Sequence, residues 1–151
     1  MNYIIVELEA KMAIGLTART NNLDPNLGNV IGNLWGQFYR NGINTKIQNK
    51  KTDKVLGIYS DYAGNEQDDY NVTVACEVEF ADTLPVETVI KELPAGKYAK
   101  FIVEGHVQKA VSEFWQSLWS MNLERTFVCD FEEYQNSDME NAIVHIYIGL
   151  K

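Results

Sequence analysis

The stretch Phe127-Val-Cys-Asp-Phe-Glu-Glu-Tyr134 predicts a β-strand that carries acidic and phenolic side chains where a strand is usually apolar. Successive side chains of a strand point to opposite faces. One face carries the polar set, Val128, Asp130, Glu132 and Tyr134, and the other is a core face with Phe127, Cys129 and Phe131. A carboxylate beside an aromatic ring suits an organic cation, which pairs with the acid and stacks on the phenol. A half-exposed strand whose polar face meets water is the alternative interpretation.

The sequence also predicts two amphipathic helices. Asp24 and Pro25 are a favourable N-cap and first helical residue, and Asn41-Gly42 ends the run. Apolar side chains recur between them at helical spacing, at Leu27, Val30, Ile31, Leu34, Trp35 and Phe38. The second helix repeats this spacing and ends at Asn122, with apolar residues at Val107, Ala110, Val111, Phe114, Trp115 and Leu118. Each helix therefore has one apolar stripe to bury.

Several further segments have the alternation and the flanking turn residues that are typical of strands. They are Tyr3–Leu8, Met12–Ala18, Val55–Tyr62, Asn71–Glu79, Val86–Leu93, Tyr98–Glu104 and Ala142–Gly149. The order strand, helix, strand, strand occurs twice, in Met12–Glu79 and in Tyr98–Gly149, which indicates an internal repeat. In this repeat Trp35 matches Trp115. The strand Val55–Tyr62 aligns with Phe127–Tyr134, so that Tyr62 matches Tyr134 and Ser60 matches Glu132.

The repeat predicts a single α+β domain over residues 1–151, with pseudo-repeats at about 1–80 and 86–151. Each helix has one apolar stripe and each hairpin one apolar face. The expected fold is therefore an antiparallel sheet with both helices on one face. Two halves related by an approximate twofold leave a central cleft, which is a natural place for a pocket. Glu132 is expected to lie in this cleft.

The last predicted strand adds a second phenol to the cleft. Its core stripe is Val144, Ile146 and Ile148, which turns Tyr147 toward the side of Glu132 and Tyr134, because neighbouring strands share their faces. The expected site is one carboxylate ringed by phenols: Glu132 with Tyr134, Tyr147 and, from the other half, Tyr62. Burial raises the pKa of such a carboxylate unless hydrogen bonds or a bound cation compensate. Taken alone, each tyrosine is also compatible with ordinary packing at an interface.

Two tryptophans one helical turn apart, Trp115 and Trp119, are candidates for the wall of the cleft. Trp115 belongs to the core stripe, whereas Trp119 lies at its edge and either borders the cleft or faces water. His106 and His145 have no partner that suggests a triad or a metal site, and Glu77 is expected on a solvated strand face. No phosphate loop, nucleophile elbow or metal motif is present, so neither a cofactor nor a metal is expected.

Composition limits the classes of partner. The chain has 151 residues, 46% of them hydrophobic, and a net charge of -8, which is typical of one globular domain and unfavourable for direct contact with nucleic acid. Two cysteines, Cys76 and Cys129, fall in apolar strand patterns and are expected as free buried thiols. No segment has the length of a membrane span or the pattern of a signal peptide. The expected location is cytoplasmic, without membrane contact.

Four segments carry a family resemblance: Leu93–Phe101 (LPAGKYAKF), Phe114–Trp119 (FWQSLW), Asp130–Tyr134 (DFEEY) and Ile146–Ile148 (IYI). In this order they resemble the GyrI-like small-molecule-binding domains, the effector-binding domains of AraC-type and MerR-type multidrug regulators. The first half is similar through Leu34-Trp35, Gly57–Tyr62 (GIYSDY) and Tyr70–Val78, so the resemblance spans nearly the whole chain. It implies that Glu132 is the cation-binding glutamate and Tyr147 the aromatic residue near the C-terminus. Without a preceding helix-turn-helix, the chain resembles the free-standing members, although it lacks the proline often found after that tyrosine.

The resemblance implies a xenobiotic sensor or sequestering protein that binds lipophilic, cationic aromatic molecules. Glu132 is then the counter-ion, and the expected walls are Tyr62, Tyr134, Tyr147, Trp115 and Trp119. An enzymatic alternative is hydrolysis of cyclopropanoid electrophiles, in which Glu132 activates a water and Tyr147 donates a proton or hydrogen bond. A protein partner, as in the relatives that inhibit DNA gyrase, ranks last among the hypotheses, and dimerisation is left open.

Overall fold

The computed structural model describes all 151 residues and contains eight strands and three helices. In chain order these are β1 (Ile4–Leu8), β2 (Lys11–Thr20), α1 (Leu27–Arg40), α2 (Ile43–Lys46), β3 (Lys50–Ser60), β4 (Tyr70–Val78), β5 (Val89–Leu93), β6 (Gly96–Gly105), α3 (Val107–Leu118), β7 (Arg125–Tyr134) and β8 (Ala142–Leu150). All strands join one antiparallel sheet in the order β1-β6-β8-β7-β3-β4-β2-β5. None of the helices has the length and apolar character needed to cross a membrane.

The predicted duplication is confirmed by the strand order. One half contains β2, α1, β3 and β4, the other contains β6, α3, β7 and β8, and β3 pairs with β7 at the centre. Strand lengths nearly agree between the halves: β1 and β5 have five residues each, β2 and β6 ten, β4 and β8 nine, and β3 and β7 eleven and ten. The first strand of each half is exchanged, because β1 pairs with β6 and β5 pairs with β2. The halves are therefore joined at both edges as well as at the centre.

The first helix begins later than the sequence predicts. Oδ1 of Asp24 accepts a hydrogen bond from the backbone N–H of Asn26 at 2.8 Å, so that Asp24 forms a turn ahead of the helix. Asn26 is the residue that precedes α1. At the other end, Gly42 has a φ of 64°, a backbone conformation that glycine adopts readily, and leads into the unpredicted short helix α2. The predicted helix and its end at Asn41-Gly42 are confirmed, and only its beginning differs.

Both long helices pack on the same face of the sheet. Side chains of α1 pack on β2 and β4, and those of α3 pack on β6 and β8. Val55 of β3 packs against the α1 cluster and Tyr134 of β7 against the α3 cluster. These two residues are direct partners across the β3–β7 pair, so both clusters lie on one face. The central strands β3 and β7 run between the two helices and form the floor of the predicted cleft.

The opposite face of the sheet is buried without any helix. Its cluster comes from strands alone: Ala13, Leu56, Ile58, Ala75, Leu93, Tyr98, Cys129, Phe131 and Tyr147. A sheet face can be buried in this way only if the sheet curls on itself. Cys76 and Cys129 are free and buried, as predicted. The central strands are consequently buried on both faces, which matters for the site.

The register of β3 on β7 corrects the predicted alignment of the two halves. Gly57 pairs with Glu132, and Tyr59 pairs with Asp130. Counted from the first residue of each strand, Gly57 and Glu132 are both eighth, and Tyr59 and Tyr134 are both tenth. Glu132 therefore corresponds to Gly57 and not to Ser60, and Tyr134 corresponds to Tyr59 and not to Tyr62.

Candidate functional site

Glu132 is the buried acid at the centre of the cleft floor. It lies in β7, next to the junction of the two halves, and only 1% of its surface is exposed. Its direct neighbours are Gly57 in β3 and Ile146 in β8. Its side chain therefore points to the face that carries the helices, toward the space between α1 and α3. The expectation that Glu132 is shielded from water where the two halves meet is confirmed, and its place in a ligand-binding cleft stays a prediction.

Three side chains donate hydrogen bonds to the Glu132 carboxylate. The Tyr134 hydroxyl donates to Oε1 at 2.7 Å. The Tyr59 hydroxyl and the Trp115 indole N–H donate to Oε2, at 2.9 and 2.8 Å. The donors come from three elements, β7, β3 and α3, and from both halves of the molecule. The carboxylate is thus fixed by neutral donors on either side of the pseudo-twofold.

Aromatic rings enclose this carboxylate and are themselves packed edge to face. The Tyr59 ring lies 4.9 Å from that of Trp115, and the Trp35 ring lies 5.0 Å from that of Tyr134, between ring centroids. We call Trp35, Tyr59, Trp115 and Tyr134 the aromatic cage. All four are partly exposed, whereas the acid beneath them is buried. The cage therefore forms a lid of rings between Glu132 and solvent.

Electrostatics distinguish Glu132 from an ordinary buried acid. Burial raises its pKa above the usual 4.5, and the hydrogen bonds from Tyr134, Trp115 and Tyr59 offset part of that rise. Burial and the nearby Glu132 charge raise the pKa of Tyr59 and Tyr134 well above 10, so both phenols stay protonated as donors. No Lys, Arg or His lies within salt-bridge distance of Glu132. An ionised Glu132 would therefore be a buried negative charge without a cation.

A second buried acid, Asp130, lies two residues away on the same strand and has its own cation. Arg125 Nη2 lies 2.8 Å from Asp130 Oδ2, and the Tyr62 hydroxyl donates to the same oxygen at 2.7 Å. The backbone N–H of Gly149 donates to Oδ1 at 2.8 Å. Asp130 is fully buried, and its charge and lone pairs are satisfied within the protein.

The structure brings together only part of the predicted site. Glu132, Tyr134 and Trp115 are in contact as described, but the Tyr62 hydroxyl donates its hydrogen bond to Asp130 instead of Glu132. Trp119 lies beyond the last residue of α3 and is 51% exposed, outside the cage. Glu77, expected to be solvated, is buried near the ammonium groups of Lys11 and Lys51.

The prediction that Tyr147 faces Glu132 is wrong. Tyr147 pairs with Phe131 in the neighbouring strand and stacks on its ring at 4.6 Å, in the cluster on the helix-free face. Ile146 is the residue that pairs with Glu132. The prediction assumed that the face of Ile146 was the core and that the acid lay opposite. Both faces are buried, and the acid lies on the same face as Ile146.

Sequence reasoning missed two members of the cage. The predicted site lacks the hydrogen bond from Tyr59, and the helical spacing predicts Trp35 only as a helix residue equivalent to Trp115. A signal existed for both. Tyr59 lies in the GIYSDY segment two residues after Gly57, and Trp35 is one of two tryptophans at matching helix positions. Their place opposite Glu132 follows only from the β3–β7 register.

The duplicated antiparallel sheet with its long helices on one face is the fold of the GyrI-like effector-binding domains. The family model "Cass2: Integron-associated effector binding protein" matches residues 4–150. The chain belongs to this family. Binding of a small-molecule effector is accordingly the class of function to which it belongs.

One relative and two solved structures are similar to this chain along nearly its whole length. "Putative transcriptional regulator protein YobU" of Bacillus subtilis (strain 168) is 32% identical over 154 residues, covering 97% of this chain and 96% of YobU. The integron cassette protein VCH_CASS2 from the mobile metagenome of Vibrio cholerae superimposes with a TM-score of 0.81 at 28% identity, over 99% of this chain and 95% of that one. SAV2435 bound to tetraphenylphosphonium has a TM-score of 0.80 at 20% identity, over 100% and 94% of the two chains.

Proposed function

We propose that this protein binds lipophilic organic cations with aromatic groups, and that Glu132 is their counter-ion. The observation that carries the proposal is the absence of any protein cation near a buried carboxylate that already has three hydrogen-bond donors. A bound cation would supply the missing charge and stabilise the ionised form of the acid. The rings around it would contribute through cation–π contact and apolar burial.

The chemistry of the cage favours a bulky, weakly hydrated cation over a metal ion. One carboxylate offers too few oxygen ligands for calcium or magnesium, and no group of three or more metal-ligating side chains is present. Indole and phenol rings instead offer a polarisable surface to delocalised positive charge. SAV2435, with the same fold, was solved bound to tetraphenylphosphonium, a cation of this kind.

Binding in the cage requires that its rings move. Glu132 is nearly inaccessible, and two cavities of about 530 and 340 Å³ are lined by other residues, the first by 41–46 with 83–87 and the second by 60–61 with 90–94 and 128–129. The rings above the acid are partly exposed, so they separate it from solvent by a single layer. We expect the ligand to displace Trp35, the cage ring that donates no hydrogen bond to Glu132, and to reach the acid beside its three donors.

A role as a sensor or a sequestering protein is consistent with this site. YobU, the relative from Bacillus subtilis, carries a regulator's name and matches this chain along nearly its whole length. In either role the protein would report or remove cationic xenobiotics. A ligand that leaves unchanged after binding distinguishes both roles from the hydrolytic alternative.

The test is calorimetric titration of tetraphenylphosphonium into the wild-type protein and into Glu132→Gln. The glutamine oxygen can accept from Tyr59 and Trp115 while its amide donates to the Tyr134 oxygen, so the variant is expected to fold. Loss of the charge should weaken binding by about 2 kcal/mol, or roughly thirtyfold. Recovery of unmodified ligand by mass spectrometry checks that no turnover occurs.

Glu133→Gln is the matched control. It makes the same change of charge at the next residue of β7, and its side chain lies on the other face of the sheet. This control should bind tetraphenylphosphonium like the wild type. Equal affinities of the wild type and Glu132→Gln would refute the counter-ion role.

A further inference from the structure

Gly57 occupies a position where a strand does not ordinarily have glycine. It lies in β3, one of the two central strands, between the buried residues Leu56 and Ile58. A glycine inside a strand weakens it and often marks a place where another group approaches closely. Its φ is not positive, so the backbone conformation alone does not require glycine. The reason must lie in what surrounds it.

The group that approaches Gly57 is the Glu132 carboxylate. A Cβ atom built on Gly57 would lie 2.7 Å from Glu132 Oε1 and 3.6 Å from its Cδ. It would also lie 3.6 Å from Cζ2 of Trp35, an ordinary contact distance. Oε1 is thus the one atom with which a side chain at this position would collide. The carboxylate occupies the volume that a side chain of β3 would fill.

The internal duplication relates Gly57 to Glu132. Gly57 and Glu132 are equivalent positions of the two halves and are also direct partners across the central strand pair. Any side chain at position 57 would share the space of the Glu132 carboxylate. One half therefore supplies the acid and the other half supplies the room for it, so that this pair of equivalent positions carries a single carboxylate.

We propose that Gly57 is a positioning residue that determines the charge specificity of the cage. By leaving its volume empty, it lets Glu132 Oε1 and Oε2 lie together within reach of their three donors and in the path of a ligand. A methyl group at position 57 would push the carboxylate away from Tyr134, whose hydroxyl holds Oε1. The cage would then keep its rings and lose the placement of its charge. This inference rests on the proposed binding of cations by Glu132.

The test measures two probes against Gly57→Ala: tetraphenylphosphonium, and the neutral compound triphenylphosphine oxide. Displacing a charged, hydrogen-bonded group should weaken tetraphenylphosphonium binding about tenfold. Binding of the neutral probe should change by less than about threefold, because the rings remain. Gly32→Ala is the control, since a Cβ there meets no atom within 4 Å, and it should change neither affinity.

A double-mutant cycle separates positioning from a general weakening of the strand. Glu132→Asp shortens the acid and withdraws its oxygens from position 57. In that background Gly57→Ala should cost tetraphenylphosphonium binding less than about threefold, whereas a merely weakened strand would cost the same in both backgrounds. If Gly57→Ala alone does not fold, the double variant should fold, because the collision is gone. Failure of both variants to fold would overturn the inference.

The two proposals can fail separately. If the wild type binds tetraphenylphosphonium no better than Glu132→Gln does, the counter-ion role fails and the role of Gly57 fails with it. If the wild type depends on Glu132 but Gly57→Ala keeps the same ratio of affinities for the two probes, only the positioning role of Gly57 is wrong. A lowered ratio in Gly57→Ala, together with a much smaller further loss from the same change in the Glu132→Asp background, is the supporting result.

Discussion

Asp130 and Glu132 are two buried acids on one strand, two residues apart, and the protein treats them differently. Asp130 lies 2.8 Å from the Arg125 guanidinium and accepts hydrogen bonds from Tyr62 and Gly149. Each acid thus accepts three hydrogen bonds, but one of those to Asp130 comes from Arg125, whereas all three to Glu132 come from neutral donors and Glu132 has no cation. Burial and hydrogen bonding are therefore matched between the two acids, and the partner charge is the variable that separates them.

The difference indicates a division of labour along β7. A buried ion pair that is complete within the protein needs nothing from outside, and removal of one member leaves a costly charge. Burial disfavours the ionised form of a carboxylate that has no cation beside it, and a cation that binds there stabilises that form. The Asp130 site should therefore respond to mutation mainly through stability, and the Glu132 site mainly through ligand affinity.

The largest expected effect is on stability, at Asp130. Asp130→Ala leaves the Arg125 guanidinium buried without its carboxylate, since the Arg125 side chain is itself only 8% exposed. Breaking a buried pair in this way costs about 3–5 kcal/mol of unfolding free energy. Urea unfolding compares the free energies of unfolding of Asp130→Ala and Glu132→Gln. Glu132→Gln should cost much less, because it leaves no buried partner charge unpaired.

The double variant Asp130→Leu with Arg125→Met serves as the control for that prediction. It removes both charges together, so most of the loss of stability should return. A small effect of Asp130→Ala, below about 1 kcal/mol, would mean that the ion pair is no more than an exposed surface pair in energetic terms, and the contrast with Glu132 would collapse.

The second prediction concerns pH and belongs to Glu132. Its pKa in the free protein is raised above 4.5 by burial. A bound cation favours the ionised form, so tetraphenylphosphonium affinity should rise by about tenfold per pH unit below the raised pKa and level off above it. The phenols nearest to the acid do not titrate in this range, because the pKa of Tyr59 and Tyr134 lies well above 10 and that of Tyr70 is about 12.

Stability of the free protein should show the opposite trend. The folded state keeps the Glu132 proton at a pH where the unfolded chain has already lost it. The contribution of this group is therefore fully present below the ordinary pKa and is lost as pH rises to the folded pKa. Glu132→Gln should remove both trends, the rise of affinity and this share of the fall in stability. Isothermal titration and thermal unfolding between pH 4 and 8 measure them, and an affinity in the wild type that does not vary with pH would contradict the prediction.

The comparison also shows which parts of the site were accessible from the sequence. The DFEEY segment predicts a strand with its acids on one face, and the helix spacing and the repeat predict the duplicated fold. Glu132, Tyr134 and Trp115 could be brought together because they lie within one half. Tyr59 and Trp35 come from the other half, and their contact with the acid depends on the register between β3 and β7, which alternation within a strand does not determine.

Tyr147 was misplaced for a related physical reason. Alternation identifies which residues of a strand share a face, but it does not say which face meets the helices when both faces are buried. Phe131 and Tyr147 stack in the helix-free cluster, while Glu132 lies on the helix side with Ile146. An acidic residue on a strand face predicts that this face is not part of the core. The sequence therefore predicts Tyr147 on the same face as Glu132, whereas Ile146 lies there. The departure from ordinary patterning marks the site itself.

The smallest expected effect on ligand affinity comes from removing a single phenolic oxygen next to Glu132. Tyr59→Phe removes a hydroxyl that donates to Glu132 at 2.9 Å and keeps the ring of the cage. Tyr147→Phe removes a hydroxyl from a ring on the opposite face. Loss of the Tyr59 donor raises the pKa of Glu132 further and should weaken tetraphenylphosphonium binding by about 1 kcal/mol at neutral pH, whereas Tyr147→Phe should leave it unchanged. Because both variants remove one phenolic oxygen, equal losses of affinity would show that the ligand contacts the helix-free face, and the Glu132 cage would no longer account for binding.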